Sequence, residues 1–255
     1  MFEVIFLGVG EAFDENNPNT SILINVKERP NHSSILLDCG FSAISQFWRT
    51  VQDPNQLDMI WVSHFHGDHF LGIPPMLVRF WEDGRRKPLS IAGQEGIQDL
   101  IQRAIEISYP GFGKKIQYPL DYIEVEPGSN IEFKGLSLKF EENMHSKRDL
   151  AIRIDSGEKS IFYSGDGRCT PATKRLATGC SLLIHESFRM EEEIPGHGTV
   201  LGTMRMADET HASRVALVHI QRNERAKVIN KLKPLMRSPI QYQIFVPECM
   251  NRIII

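Results

Sequence analysis

The sequence predicts an α/β fold in which two β-sheets pack face to face with helices on the outside. Two observations carry this expectation. Short β-type runs are followed by alternating strand and helix patterns, and that order occurs twice. Two strand ends also correspond: Ile35-Leu-Leu-Asp-Cys-Gly40 places Asp38 before a Cys-Gly pair, and Ile161-Phe-Tyr-Ser-Gly-Asp-Gly167 places Asp166 between glycines. With 255 residues and no low-complexity stretch or linker, the chain reads as one domain, residues 1–255, made of two similar halves.

FEVIFLG (2–8), TSILINV (20–26) and SSILLDCG (33–40) are β-type runs punctuated by Gly, Pro and Asn, as turns require. FSAISQFWRTV (41–51) changes to a helical spacing of apolar residues. LDMIWVSH (57–64) reads as a buried strand running into a histidine cluster. Phe70 to Trp81 has helical spacing, with Pro74-Pro75 expected to break or kink it early. LSIAG (89–93) is a strand, and EGIQDLIQRAIEIS (95–108) is the clearest amphipathic helix. In the second half SNIEFKG, LSLKFEEN and LAIRIDSGEKSIFYSGDG supply strands from 129 to 167. CSLLIHES (180–187) and RVALVHI (214–220) are short apolar strands that each reach a histidine, with a helix from Thr199 to His211 between them. NERAKVINKLKPLM (223–236) is a last helix and YQIFVP (242–247) a last strand.

Composition narrows the function classes. A chain 41% hydrophobic and 24% charged is an ordinary globular one. The net charge of −3 and a pI near 6.3 leave no global nucleic-acid footprint, so any polyanion site must be local. Cys39, Cys169, Cys180 and Cys249 are far apart and form no C-x-x-C pair, which argues against a disulfide framework or zinc ribbon and fits a reducing cytoplasm. The N-terminal MFEVIFLGVGEAF lacks a basic leader and reads as a strand, not a signal peptide. No window reaches the ~18–20 apolar residues of a membrane span. A soluble, cytoplasmic protein is the expectation.

Ser63-His-Phe-His-Gly-Asp-His69 puts three histidines and one aspartate into six consecutive positions, directly after a buried strand. No packing pattern asks for this, and metal ligation does. His64 and His66 project the same way if the strand stays extended, while Asp68 and His69 follow in the turn. One tetrahedral ion does not easily take four such close neighbours. Two adjacent ions relieve the problem, with His64 and His66 on one and Asp68 and His69 on the other. The further ligands each ion needs are sought at strand ends: His145 in ENMHS, Asp166 in YSGDG and His219 in ALVHIQR. Asp166 is the best bridge, since a shared carboxylate holds two cations ~3.5–4 Å apart, as in two-metal hydrolysis.

His64-Phe-His-Gly-Asp-His69 followed by His145, Asp166 and His219 resembles the metallo-β-lactamase superfamily. Phe6-Leu-Gly-Val-Gly-Glu-Ala, Asn19-Thr-Ser, the Asp38 and Asp166 segments, Leu183-Ile-His-Glu-Ser and Gly196-His-Gly-Thr resemble its ribonuclease Z branch, whose members process tRNA 3′ ends. The resemblance implies a four-layer αβ/βα sandwich with a dimetal site at one edge. It implies one zinc on His64, His66 and His145, a second on Asp68, His69 and His219, and Asp166 between them; Mn2+ or Fe2+ can share such ligands. It also implies a possible homodimer. Two local departures stand out: Gly167 replaces the family's Ser/Thr, and Ile220-Gln221 replaces Phe-Ser. A larger one is that only twenty residues (146–165) separate His145 from Asp166, so the flexible tRNA-gripping arm of short ribonuclease Z forms has no room.

Two zinc ions would bring a bridging water towards ionisation near neutrality, with Asp68 able to ligate and to accept its proton. His197, in PGHGTV, is the histidine the resemblance assigns to phosphate contact and leaving-group protonation, and Thr199 can cap the helix after it. Glu186, in HES, can orient His197 or a ligating histidine. Asp38 either supports the metal loop from behind or simply forms a turn. His185 reads as structural, and His32 and His211 as loop and helix-surface residues. The six basic residues from Arg214 to Lys233 read chiefly as a solvated helix face, and Glu191-Glu192-Glu193 as a deterrent to a long polyanion.

These features point to a dizinc phosphodiesterase of the ribonuclease Z kind, acting on RNA or on a cyclic or other small phosphodiester. The alternative is a lactonase or thioesterase on the same scaffold, which shares the ligands and needs no donor like His197. A redox diiron protein is disfavoured by His66, where that branch has Glu, and by a length that leaves no flavin module. A non-catalytic scaffold is disfavoured because every expected ligand position is filled.

Overall fold

The computed structural model describes residues 1–27, 32–234 and 241–255. The first sheet contains β1 (Phe2–Gly8), β2 (Ser21–Lys27), β3 (His32–Leu37), β4 (Met59–Val62), β5 (Leu89–Gly93) and β6 (Leu120–Glu124). The second contains β7 (Asn130–Phe133), β8 (Leu136–Asn143), β9 (Asp149–Ser156), β10 (Lys159–Tyr163), β11 (Leu182–Glu186), β12 (Arg214–Val218) and β13 (Gln243–Phe245). The last strand, β14 (Arg252–Ile254), returns to the first sheet and pairs with β1. The orders are β14-β1-β2-β3-β4-β5-β6 and β13-β12-β11-β10-β9-β8-β7. In each sheet antiparallel strands lead into parallel ones, so the repeated pattern in the sequence is a repeated topology.

Side-chain alternation builds the layers. Phe2, Val4 and Phe6 of β1 point between the sheets, where they meet Leu150, Ile152 and Ile154 of β9 and Ile161 and Tyr163 of β10. Ile5 and Leu7 of β1 point outward to α1 (Ile44–Thr50), α2 (Gly67–Phe70), α3 (Ile73–Glu82) and α4 (Ile97–Ser108). On the other side Ala151, Phe162, Leu183 and Leu217 face α5 (Pro171–Ala177), α6 (Val200–Thr210) and α7 (Arg222–Leu232). The result is the four-layer αβ/βα sandwich. Among the described residues no helix is long and apolar enough to cross a membrane.

Several local expectations change. The strand read over 57–64 ends at Val62, because Ser63 N turns to donate to Asp38 Oδ1 at 2.8 Å. The helix read over Phe70–Trp81 is two helices, separated where Gly72 N donates to Cys39 O at 2.9 Å. Pro74 and Pro75 do not break α3; they occupy its first turn, where the missing N–H costs nothing. The expectation over 223–236 covers α7, and its last two positions lie outside the described residues. Strands β6 and β14 and helix α5 have no clear signal in the sequence; α5 starts at a capping box made by Thr170 and Thr173.

Arg85 steadies the segment that feeds β4. It is 4% exposed, and its guanidinium donates to the carbonyls of Lys87, Pro54, Leu57 and Pro88. Arg85→Met leaves buried carbonyls without donors, a loss of about 2–4 kcal/mol. A thermal melt is expected to show the midpoint falling by roughly 5–10 °C; an unchanged midpoint would exclude this role.

Candidate metal centre

The ligand-type residues lie at one edge of the sandwich, where strands end. Asp38 follows β3, His64 follows β4, Asp166 follows β10, Glu186 closes β11 and His219 follows β12. His145 and Asp149 sit at the β8–β9 turn. His66 caps α2, which carries Asp68 and His69. The fold thus places groups distant in sequence on one rim, as parallel strand ends generally do.

The residues form two groups. His64, His66 and His145 present nitrogen atoms within 4.8 Å of one another, and Asp68, His69, Asp166 and His219 present carboxylate oxygens and imidazole nitrogens within the same distance. His145, Asp166 and His197 also meet this spacing. Asp166 Oδ2 stands 3.9 Å from His64 Nε2, 3.5 Å from His69 Nε2 and 3.3 Å from His219 Nε2, so it lies between the groups.

The hydrogen-bond pattern shows what the nitrogens lack. His64 Nδ1 is 2.9 Å from Asp149 Oδ2, His69 Nδ1 is 2.8 Å from Asp38 Oδ2, and His145 Nδ1 is 2.6 Å from the carbonyl of Gly196. Each outer nitrogen therefore carries the proton, and each Nε2 turns a lone pair inward. His64 Nε2 meets His66 Nδ1 at 2.9 Å, and His66 Nδ1 meets His145 Nε2 at 3.3 Å. His69 Nε2, His219 Nε2 and Asp166 Oδ1 are buried without hydrogen-bond partners. Acceptors facing acceptors in a buried space repel, and a cation removes the conflict. The donor set therefore fits divalent metal ions.

Electrostatics differ between the two groups. Burial, then neighbouring His69, lowers the His64 pKa to about 3, and burial, then His64, lowers that of His66 to about 4, so both are neutral. Burial opposes charge on Asp68, but the neighbouring His219 and His69 imidazoles hold its carboxyl below the usual range. Burial also opposes charge on His69 and His219, yet Asp166 and the other nearby carboxylates raise both.

Asp38 is a buttress and not merely a turn former. It is fully buried at φ 57° and accepts from Ser63 N, Ser63 Oγ, His69 Nδ1 and Tyr163 Oη. Asp149 does the matching job for His64 and also accepts from Asp166 N at 2.9 Å. Sequence reasoning missed Asp149, which opens β9 four residues after His145 and acts through His64, far away along the chain. Gly167 has φ +98°, and a Cβ there would stand 2.6 Å from Met144 O, so the departure from Ser/Thr follows from a close backbone approach.

Glu186 is fully buried and links three groups. Its Oε1 lies 2.5 Å from His197 Nδ1 and 3.4 Å from His219 Nδ1, while Oε2 accepts from Gly167 N and Gly198 N. His197 stacks on Phe188, with centroids 4.4 Å apart. Arg168 holds this loop by donating to the carbonyls of His197 and Ile194. Burial disfavours a charged His197, but Glu186 raises its pKa overall. A cavity of about 580 Å³ opens over His66, Asp68, His145, Asp166, His197 and His219, with Phe13, Phe41 and Arg222 on its walls.

The remaining residues stand apart. His185 is buried in β11, His32 opens β3 at the surface, and His211 ends α6. Of the basic run only Arg222 lines the cavity, paired with Glu11 at 2.6 Å. The acid run is neutralised: Glu191 faces Lys231, Glu192 faces Arg189 and Glu193 faces Arg168, so its repulsion of a polyanion is weaker than the bare sequence suggests. The twenty residues from 146 to 165 form β9, β10 and a turn at Gly157-Glu158, with no arm.

The sequence model of the family described as anti-Pycsar protein Apyc1 matches residues 2–235. The chain belongs to that family. It is also similar to ribonuclease BN of Escherichia coli O17:K52:H18, 35% identical over 131 residues, which are 51% of this chain and 42% of that protein. The chain thus spans less than half the length of the curated relatives it matches. Among solved structures, the metallo-β-lactamase fold protein YhfI of Bacillus subtilis superposes with a TM-score of 0.80 at 21% identity, covering 99% of this chain and 98% of YhfI. The short form of human tRNase Z gives 0.75 at 20% identity over 98% of each chain. A diphosphatase of the PhnP family gives 0.73 at 16% identity, over 100% of this chain and 98% of that one. These likenesses establish the metallo-β-lactamase fold.

Asp38→Asn replaces an acceptor pair, on which four donors converge, with one acceptor and one donor. A chelator competition assay is expected to show divalent-metal affinity about 10–100-fold weaker; equal affinity would remove Asp38 from the support of the site.

Proposed function

We propose that the chain is a metal-dependent hydrolase that cleaves a small phosphodiester. The observation that carries this reading is His197, tied through Nδ1 to the buried Glu186 carboxylate and placed on the wall of the cavity above the ligand cluster. A phosphodiester releases an alkoxide that requires a proton, and His197 stands where it can supply one. The ribonuclease and diphosphatase names of its relatives support a phosphorus ester.

His64, His66 and His145 would hold one divalent ion, Asp68, His69 and His219 a second, and Asp166 would lie between them. Bound there, the ions supply a lowered water pKa and neutralise charge on the phosphoryl oxygens. Asp68, kept ionised by its histidine neighbours, accepts a proton from the attacking water. A new P–O bond forms to that water oxygen as the P–O bond to the leaving oxygen breaks. His197, whose pKa the Glu186 carboxylate raises against the effect of burial, gives its Nε2 proton to the leaving oxygen. Phe188 keeps the imidazole plane fixed during this transfer.

Substrate size follows from two features. The cavity of about 580 Å³ is within the ~300–1,000 Å³ range of small-molecule sites. No arm stands between His145 and Asp166 to hold a folded RNA. A short or cyclic phosphodiester is therefore favoured over tRNA.

His197→Ala is expected to lower kcat on a metal-loaded phosphodiester assay by about 10²–10⁴-fold while metal content is retained. Glu186→Gln weakens the support of the protonated imidazole, so the alkaline limb of the pH–rate profile should move to lower pH. Full activity in His197→Ala, or an alkaline limb moving upward in Glu186→Gln, would overturn the assignment.

A further inference from the structure

A second, smaller cavity of about 160 Å³ lies against the His197 loop. Its walls include Arg168, Lys174 and Arg205, together with His185, His197 and Thr199. His197 is the residue it shares with the cavity over the ligand cluster, and none of the seven ligand-type residues lines it. The His197 loop therefore divides two cavities of different chemistry.

His185 gives the smaller one a specific requirement. The residue is 2% exposed, and its Nδ1 stands 2.6 Å from Glu186 O, so the ring proton is on that nitrogen. Nε2 is left as a lone pair, buried and without a hydrogen-bond partner. Burial lowers the pKa of this imidazole, so a second proton does not relieve it. A buried acceptor with no donor costs about 1–3 kcal/mol. The walls are positive: three cations line the cavity against one carboxylate, Glu193. Arg168 Nη1 pairs with Glu193 at 2.8 Å and Lys174 Nζ with Glu209 at 2.6 Å. Arg205 is exposed and, among the described residues, has neither an ion pair nor a hydrogen bond. The first N–H groups of α6 are already taken, Val200 N by Arg189 O, Leu201 N by Met190 O and Gly202 N by Thr199 Oγ1. Recognition thus falls to side chains, with cations on the walls and one acceptor at the buried end.

We propose that this cavity binds a small oxyanion that still carries a proton, of the hydrogen-phosphate type. Its charged oxygens meet Arg205, Lys174 and Arg168, and its P–OH donates to His185 Nε2. The size agrees. A volume of about 160 Å³ holds roughly five waters at ~30 Å³ each, which suits a tetrahedral ion and is below the ~300 Å³ at which sites for larger ligands begin. Near neutrality phosphate keeps a proton and sulfate does not, so sulfate has the shape and charge but no donor for Nε2. An ion held here touches the His197 loop from the side away from the ligand cluster.

Isothermal titration of sodium phosphate and of sodium sulfate, at neutral pH and matched ionic strength, into the metal-loaded protein tests the site. His185→Phe keeps a buried ring and removes the lone pair. It is expected to weaken one phosphate site about tenfold or more and to leave the sulfate isotherm unchanged. Arg205→Ala, at an exposed position, is expected to weaken the same site about threefold. Neither substitution touches the ligand cluster, so phosphate bound at the metal centre is unaffected in both. Wild-type phosphate affinity in either folded variant would overturn the proposal, and Arg205→Ala decides alone if His185→Phe does not fold. Sulfate binding that falls together with phosphate in His185→Phe would also overturn it.

Discussion

The Asp38 carboxylate accepts from Ser63 N, Ser63 Oγ, His69 Nδ1 and Tyr163 Oη, and these bonds join the ends of β3 and β4, the helix α2 and the opposite sheet at β10. A fully buried carboxylate would be costly without that set of donors. With it, the carboxylate ends β4 at Val62, turns the chain into the ligand loop and fixes the tautomer of His69. Asp149 repeats the arrangement for His64 from the second half of the chain. The inward lone pairs of His64 and His69 follow from these two outer carboxylates, and the Gly196 carbonyl does the same for His145.

Much of this is legible in the sequence alone, because the ligand residues are chemically unusual for their positions. Four ligand-type residues in six, directly after a buried strand, serve no packing purpose, and His145, Asp166 and His219 all sit at strand ends. The two-layered sheet pattern is legible because each strand alternates between two apolar faces, as β1 does with Phe2, Val4 and Phe6 against Ile5 and Leu7. Asp149 is not legible, since its importance lies in a bond to His64, distant along the chain. Pro74-Pro75 reads as a breaker because nothing local shows that a helix begins at Ile73; the break is set by Gly72 against Cys39. Strand β14 exists because β1 offers it an edge, a tertiary fact absent from its short sequence.

The same rim carries two kinds of surface. Its floor is an ionic cluster of histidines and carboxylates held from behind, and its mouth is apolar, with Phe13 and Phe41 supported by Glu11 and Asn19. His197 stands between them, its loop tied to His145 through Gly196 O and to Arg168 through two carbonyls. Outside the cavity, Lys231, Arg189 and Arg168 pair with Glu191, Glu192 and Glu193 and offset the acidic run.

Metal stoichiometry tests the central claim most directly. Chelator-stripped protein, titrated separately with Zn2+ and Mn2+ and assayed by elemental analysis after desalting, is predicted to retain two divalent ions per chain. The Asp166→Ala variant, lacking the carboxylate between the two groups, is predicted to retain fewer. One ion or none in the wild type, or two ions held equally well without Asp166, would contradict the account.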